Sequence, residues 1–177
     1  SKMRKFIFTA VTLGIAAGSG CHGGLINEAQ ERGEVSLQPT QGSSVQGKVS
    51  FKAVGPKFRV MAELAGMRPG AYGFYIHELG DCTAPDAGSV GLLFNPDGKL
   101  HGKSAQPEQG AGGLPHLIAD ARGNAGLTAY IQGVELGDSE RGLFGRSVIV
   151  SELPGDAKTR AGGVSGKVLA CGVIVEK

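Results

Sequence analysis

The sequence predicts an all-β fold, a Greek-key sandwich or flattened barrel of seven or eight short strands joined by two long loops. Three observations carry this. The 177 residues include 31 glycines and eight prolines, with few aromatics and no tryptophan, well above the usual glycine share of roughly 7%. Apolar and polar residues alternate over short runs bounded by Gly and Pro, as half-buried strands require. No segment calls for a helix. An apolar content of 41% supports one domain with a real core.

Lys2, Arg4 and Lys5, the apolar run from Phe6 to Ala17, and Gly18-Ser19-Gly20 make residues 1–20 a signal or lipoprotein signal segment, too short to span a membrane permanently. Cys21 is the lipid-anchor candidate, although Gly18 stands where a lipobox carries Leu; the alternative is ordinary cleavage that leaves Cys21 a free thiol. Residues 21–44 are polar, contain Pro39 and lack periodicity, so they read as a flexible tether. The domain proper is 45–177. Strands are expected at Val45 to Ala53, Lys57 to Leu64 and Ala71 to His77, punctuated by Pro56 and by Met67-Arg68-Pro69-Gly70. Residues 78 to about 115 have no regular pattern, and a loop of that length needs a function or a restraint. Leu117 to Asp120 and Ala125 to Gln132 form a hairpin around Arg122-Gly123-Asn124. Leu143 to Ser151 and Val168 to Val175 complete the set, separated by the glycine-rich stretch Glu152 to Lys167.

Without the three leader cations the chain carries 15 basic against 16 acidic residues. No basic face or aromatic stripe is apparent, so nucleic acid is not expected as a partner. Three cysteines in an exported chain imply one pair and one left over. Ser151 lacks the Gly-x-Ser-x-Gly surround of a hydrolase nucleophile, and Gly110 to Gly113 is a loop rather than a phosphate cradle.

One set of ordered motifs is more specific: Gly73-Phe74-Tyr75-Ile76-His77-Glu78-Leu79-Gly80-Asp81-Cys82, Phe94-Asn95-Pro96, Lys99-Leu100-His101-Gly102, Gly113-Leu114-Pro115, Gly145-Arg146-Ser147-Val148-Ile149-Val150 and Leu169-Ala170-Cys171-Gly172-Val173-Ile174. On these residues the chain resembles the copper, zinc superoxide dismutase family of the bacterial periplasmic type. The resemblance implies an eight-stranded Greek-key β-barrel, flattened like an immunoglobulin sandwich, and a Cys82–Cys171 disulfide. It also implies a metal site whose ligand positions this chain has largely replaced. His77 matches a copper ligand, but Tyr75, Leu93 and Ser151 stand at the other copper positions, Leu93 at the one bridging to zinc. His101 matches a zinc ligand, while Gly110 and Gly113 occupy the remaining zinc positions. The position of the substrate-steering arginine is Val168, with Lys167 beside it and Arg160 more distant.

The expectation is therefore an exported superoxide dismutase-like protein that has lost dismutation and acts by binding or structure in the periplasm or cell envelope. No cofactor is expected and zinc is not retained; the alternative is copper binding, or an atypical copper-only dismutase, built on His77. The partner is another envelope protein or a second copy of the chain, and a membrane is met only through an N-terminal lipid. Tyr75 is expected to fill the copper cavity, and His22 and His116 to be uncoordinated.

Overall fold

Among the described residues nine strands are formed by the alternation of buried apolar and outward polar side chains, and their lengths follow the Gly and Pro punctuation. The structure is a computed structural model and describes residues 32–98, 111–152 and 166–177. The strands are β1 (Arg32–Pro39), β2 (Gln46–Val54), β3 (Lys57–Ala65), β4 (Gly70–His77), β5 (Leu117–Ala119), β6 (Ala125–Ile131), β7 (Ser147–Ser151), β8 (Val168–Val173) and β9 (Val175–Glu176). The order across the sheet is β5-β4-β7-β8-β1-β2-β3-β6, all antiparallel, with β9 on β1. This is a nearly closed eight-stranded Greek-key barrel, as expected. Its interior is packed with the inward residues of both halves, among them Val35, Phe51, Val60, Phe74, Ile76 and Val148. Among the described residues no helix is long and apolar enough to cross a membrane.

One expectation is corrected at the start of the domain. Arg32–Pro39, expected within the flexible tether of residues 21–44, is the strand β1. Val35 and Leu37 are buried in the barrel, and the strand pairs with β2, β8 and β9, so tertiary pairing overrides a polar composition. The close approach of β8 to β1 requires Gly172, where a β-carbon would lie 2.5 Å from the Ser36 carbonyl oxygen. The leader, Cys21 and His22 lie outside the described residues.

Two other boundaries move inward. The strand expected from Leu143 begins at Ser147, because Gly145 takes φ +76°, a conformation that favours glycine. The strand expected to reach Val175 divides at Ile174, whose N–H turns to the Arg146 carbonyl at 2.8 Å.

The long patternless segment is anchored more than its sequence suggests. Beyond the reach of β5, the free edge of β4 takes Gly112, Phe94 and Leu114, and Glu78 just past its end takes Leu92, through backbone hydrogen bonds of 2.8–3.1 Å. Asp81 fixes the turn around Cys82 by accepting from the Thr83 hydroxyl and from the Thr83 N–H at 2.9 Å, and these two bonds, the hydroxyl's first, hold its carboxyl below the usual carboxylate range. Arg146 joins the two loop systems: its guanidinium stacks 3.8 Å over Phe94 and donates to the Gly142 and Glu140 carbonyls.

Candidate metal centre

A strand presents alternate residues to opposite faces. On β4, Phe74 and Ile76 therefore enter the barrel core while Tyr75 and His77 face outward. The register carries that face across the sheet: Tyr75 lies opposite Ile149, which lies opposite Cys171, and His77 lies opposite Ser147. Ser151 sits one row away, opposite Gly73. On the other edge of β4, Gly113 bridges Tyr75 and Leu93 bridges His77. Five of the positions singled out in the sequence, Tyr75, His77, Leu93, Gly113 and Ser151, thus converge on one outer face under the 78–98 segment. His101 and Gly110 lie outside the described residues, as does Arg160.

The chemistry of this face is apolar. Tyr75, Ala87, Val90, Leu93, Ile149, Val168 and Cys171 form a second hydrophobic cluster, separate from the barrel core, with Cys82 packed against it. Cys82 and Cys171 are bonded, their Cα atoms 5.8 Å apart across 89 residues. The disulfide clamps the covering segment onto β8. Val168, at the arginine position, is buried in this cluster; Lys167 beside it is exposed. Ser151 is wholly buried, and His116 is exposed. Reading the sequence for ligands missed Ala87, Val90 and Ile149, which fill the face; the one signal was the parity that puts Ile149 on the same side as Ser151.

His77 is fully buried on this face, as are the hydroxyl side chains of Ser147 and Ser151. Its Nδ1 lies 2.8 Å from the Gly91 carbonyl oxygen, which only accepts, so Nδ1 carries the hydrogen. Nε2 then presents a lone pair and has no hydrogen-bond partner. The Tyr75 ring stands edge-on to the imidazole at 6.4 Å. Burial holds the His77 pKa below its ordinary value, against the opposing pull of the Gly91 carbonyl and Glu78. As pH falls below the ordinary value near 6.5, the unfolded chain takes up a proton that the folded chain refuses, so stability is full above that pH and declines toward the lower folded pKa, by at most about 1.4 kcal/mol per pH unit. His77→Gln is expected to flatten this slope in urea unfolding across the acid range; equal slopes in the two proteins would refute it.

Copper needs several imidazoles, and zinc needs imidazole, thiolate or carboxylate donors. Among the described residues no three His, Cys, Asp or Glu side chains come together. Among the described residues, a single open Nε2 in an apolar cluster does not fit the two-metal centre.

A nearly closed Greek-key barrel with these positions on its outer face defines the superoxide dismutase-like class of β-barrel proteins. The sequence model of the copper/zinc superoxide dismutase (SODC) family matches residues 45–174, and the chain belongs to that family. It is 33% identical over 150 residues to superoxide dismutase [Cu-Zn] 2 of Brassica juncea, covering 81% of this chain and 96% of the relative. It is also 33% identical over 138 residues to the copper chaperone for superoxide dismutase of Rattus norvegicus, covering 74% of this chain and 48% of that protein, and so spans about half of the chaperone's length. The crystal structure of the clock protein EA4 aligns with a TM-score of 0.69 and 29% identity, covering 82% of this chain and 94% of the other.

Proposed function

We propose that this chain is an exported superoxide dismutase-like protein in which the barrel serves binding or structure in the cell envelope and dismutation has been lost. The observation that carries the reading is that Tyr75 and Leu93, at copper-ligand positions of the family, pack with Ile149 and Val168 as an apolar cluster. Losing ligand-supporting groups alone costs about 10- to 100-fold in metal affinity or activity, so replacing the ligands themselves costs more. Export is supported by the leader-like residues 1–20 and by the disulfide, since oxidising compartments keep such bonds; Cys21 is the candidate anchor in the periplasm or envelope. Elemental analysis with a xanthine oxidase and cytochrome c assay on purified protein tests it. The expected result is substoichiometric copper and no dismutation; stoichiometric copper with fast turnover would overturn the reading.

A second reading is copper binding without turnover. It is favoured by the unpartnered Nε2 of His77 and by the name of the copper chaperone relative. Copper titration separates the two: this reading requires that His77→Ala lose most of the affinity, and the first requires that wild type and variant bind equally weakly.

A further inference from the structure

Far from the metal face, the register of β1, β2, β3 and β6 assembles something the charge balance of the chain conceals. Arg32 lies opposite Lys52, Lys52 opposite Arg59, and Arg59 opposite Tyr130. The alternation of burial places all four on the outer face. Three cations therefore occupy adjacent strands in one row, and Lys57, opposite Val54, stands beside it at the β2–β3 turn. Like charges directly opposite each other destabilise a sheet, so folding alone gives no reason for the row. The ion pairs among the described residues are Arg141–Asp97 and Lys177–Glu34, and neither involves it. Glu34, the acid in the next row, is committed to Lys177 at 2.7 Å, and Glu63 lies two rows away, opposite Lys48. The Arg59 Nε is buried without a hydrogen-bond acceptor. Tyr130, Val54 and Met61 are 57%, 44% and 41% exposed on the same face, a mixture of aromatic, apolar and cationic groups suited to a membrane–water interface. The sequence expectation that no basic face exists is corrected here: overall neutrality does not prevent local segregation.

We propose that this face docks onto an anionic lipid bilayer. The choice of a bilayer over a soluble polyanion rests on the envelope reading above and on where the chain enters the domain. The row begins at Arg32, the first residue of β1, and ten residues separate it from Cys21, a reach of at most about 35 Å. An anchored chain holds the row against the headgroups.

The test uses the full chain and sedimentation with vesicles of phosphatidylcholine alone or with about 30% phosphatidylglycerol, at about 0.05 M and about 0.5 M salt. Binding to the anionic vesicles at low salt, lost at high salt, is expected. The double variant Lys52→Gln with Arg59→Gln is expected to bind about 30-fold more weakly, at about fivefold per cation; Arg122→Gln with Lys167→Gln removes the same charge from exposed sites off the row and is expected to change little. Equal losses in the two double variants, or displacement of the vesicles by soluble polyphosphate at matched charge, would overturn the proposal. Salt-independent binding to neutral vesicles would instead report insertion of residues 1–20, and with no added anionic component would also count against it. Failure of the export reading shows separately, as a chain retained in the cytoplasm whose N-terminal mass still includes residues 1–20.

Discussion

Cys82→Ser is expected to lower the stability of the domain by about 4 to 5 kcal/mol, because the chain-entropy cost of closing a loop near 90 residues falls in that range. The bond joins residues 89 apart in sequence and closes the covering segment over the metal face. Position 82 is the half-buried end and Cys171 the buried one, so a serine at 82 stays partly solvated and the change isolates the cross-link. Serine at Cys171 places a hydroxyl in the apolar cluster and is expected to cost about 1 to 3 kcal/mol more. For a domain of this size each kcal/mol moves the melting temperature by about 3 to 5 °C, and calorimetry of Cys82→Ser should show a drop of about 15 °C. A loss below about 1 kcal/mol would mean that the backbone bonds from β4 to Phe94 and Gly112, and from Glu78 to Leu92, hold the segment unaided.

The strands legible in the sequence are those whose apolar residues keep period 2 over a long run, as in Val49, Phe51, Val60 and Ala62 of the β2–β3 hairpin. β1 was illegible for the same reason: Arg32–Pro39 offers only Val35 and Leu37, and its identity comes from three partner strands. The 78–98 segment inverts the usual signal, exposing Leu79 and Leu92 by more than half while its backbone pairs with β4. The family motifs pointed to Tyr75, His77, Leu93, Gly113 and Ser151, which share one face, yet apolar fillers such as Val90 carry no chemical signature and emerge only from packing. Cross-strand neighbours such as Lys52 and Arg59 are set by register, which charge counting does not see.

The largest change in function is expected from placing histidines together at the positions where the resemblance implies copper ligands. Tyr75→His, Leu93→His and Ser151→His would join His77 on one face: 75 and 77 alternate along β4, 93 is bridged to 77, and 151 lies one row from 75. Singly, Leu93→His is expected to cost about 2 to 4 kcal/mol, since it puts an imidazole among Val90, Ile149 and Val168 with no partner. Without metal the triple variant is less stable still. Copper binds the folded state alone, so an excess of about a thousandfold over Kd returns about 4 kcal/mol. Near-stoichiometric copper and a melting temperature that rises with copper are expected for the triple variant, against a flat response in the wild type. A triple variant that fails to bind would show that the backbone no longer holds these positions in ligand geometry. A wild type that responds as strongly as the variant would show that copper is held by something other than the four-imidazole face, and the lost-site reading would fall.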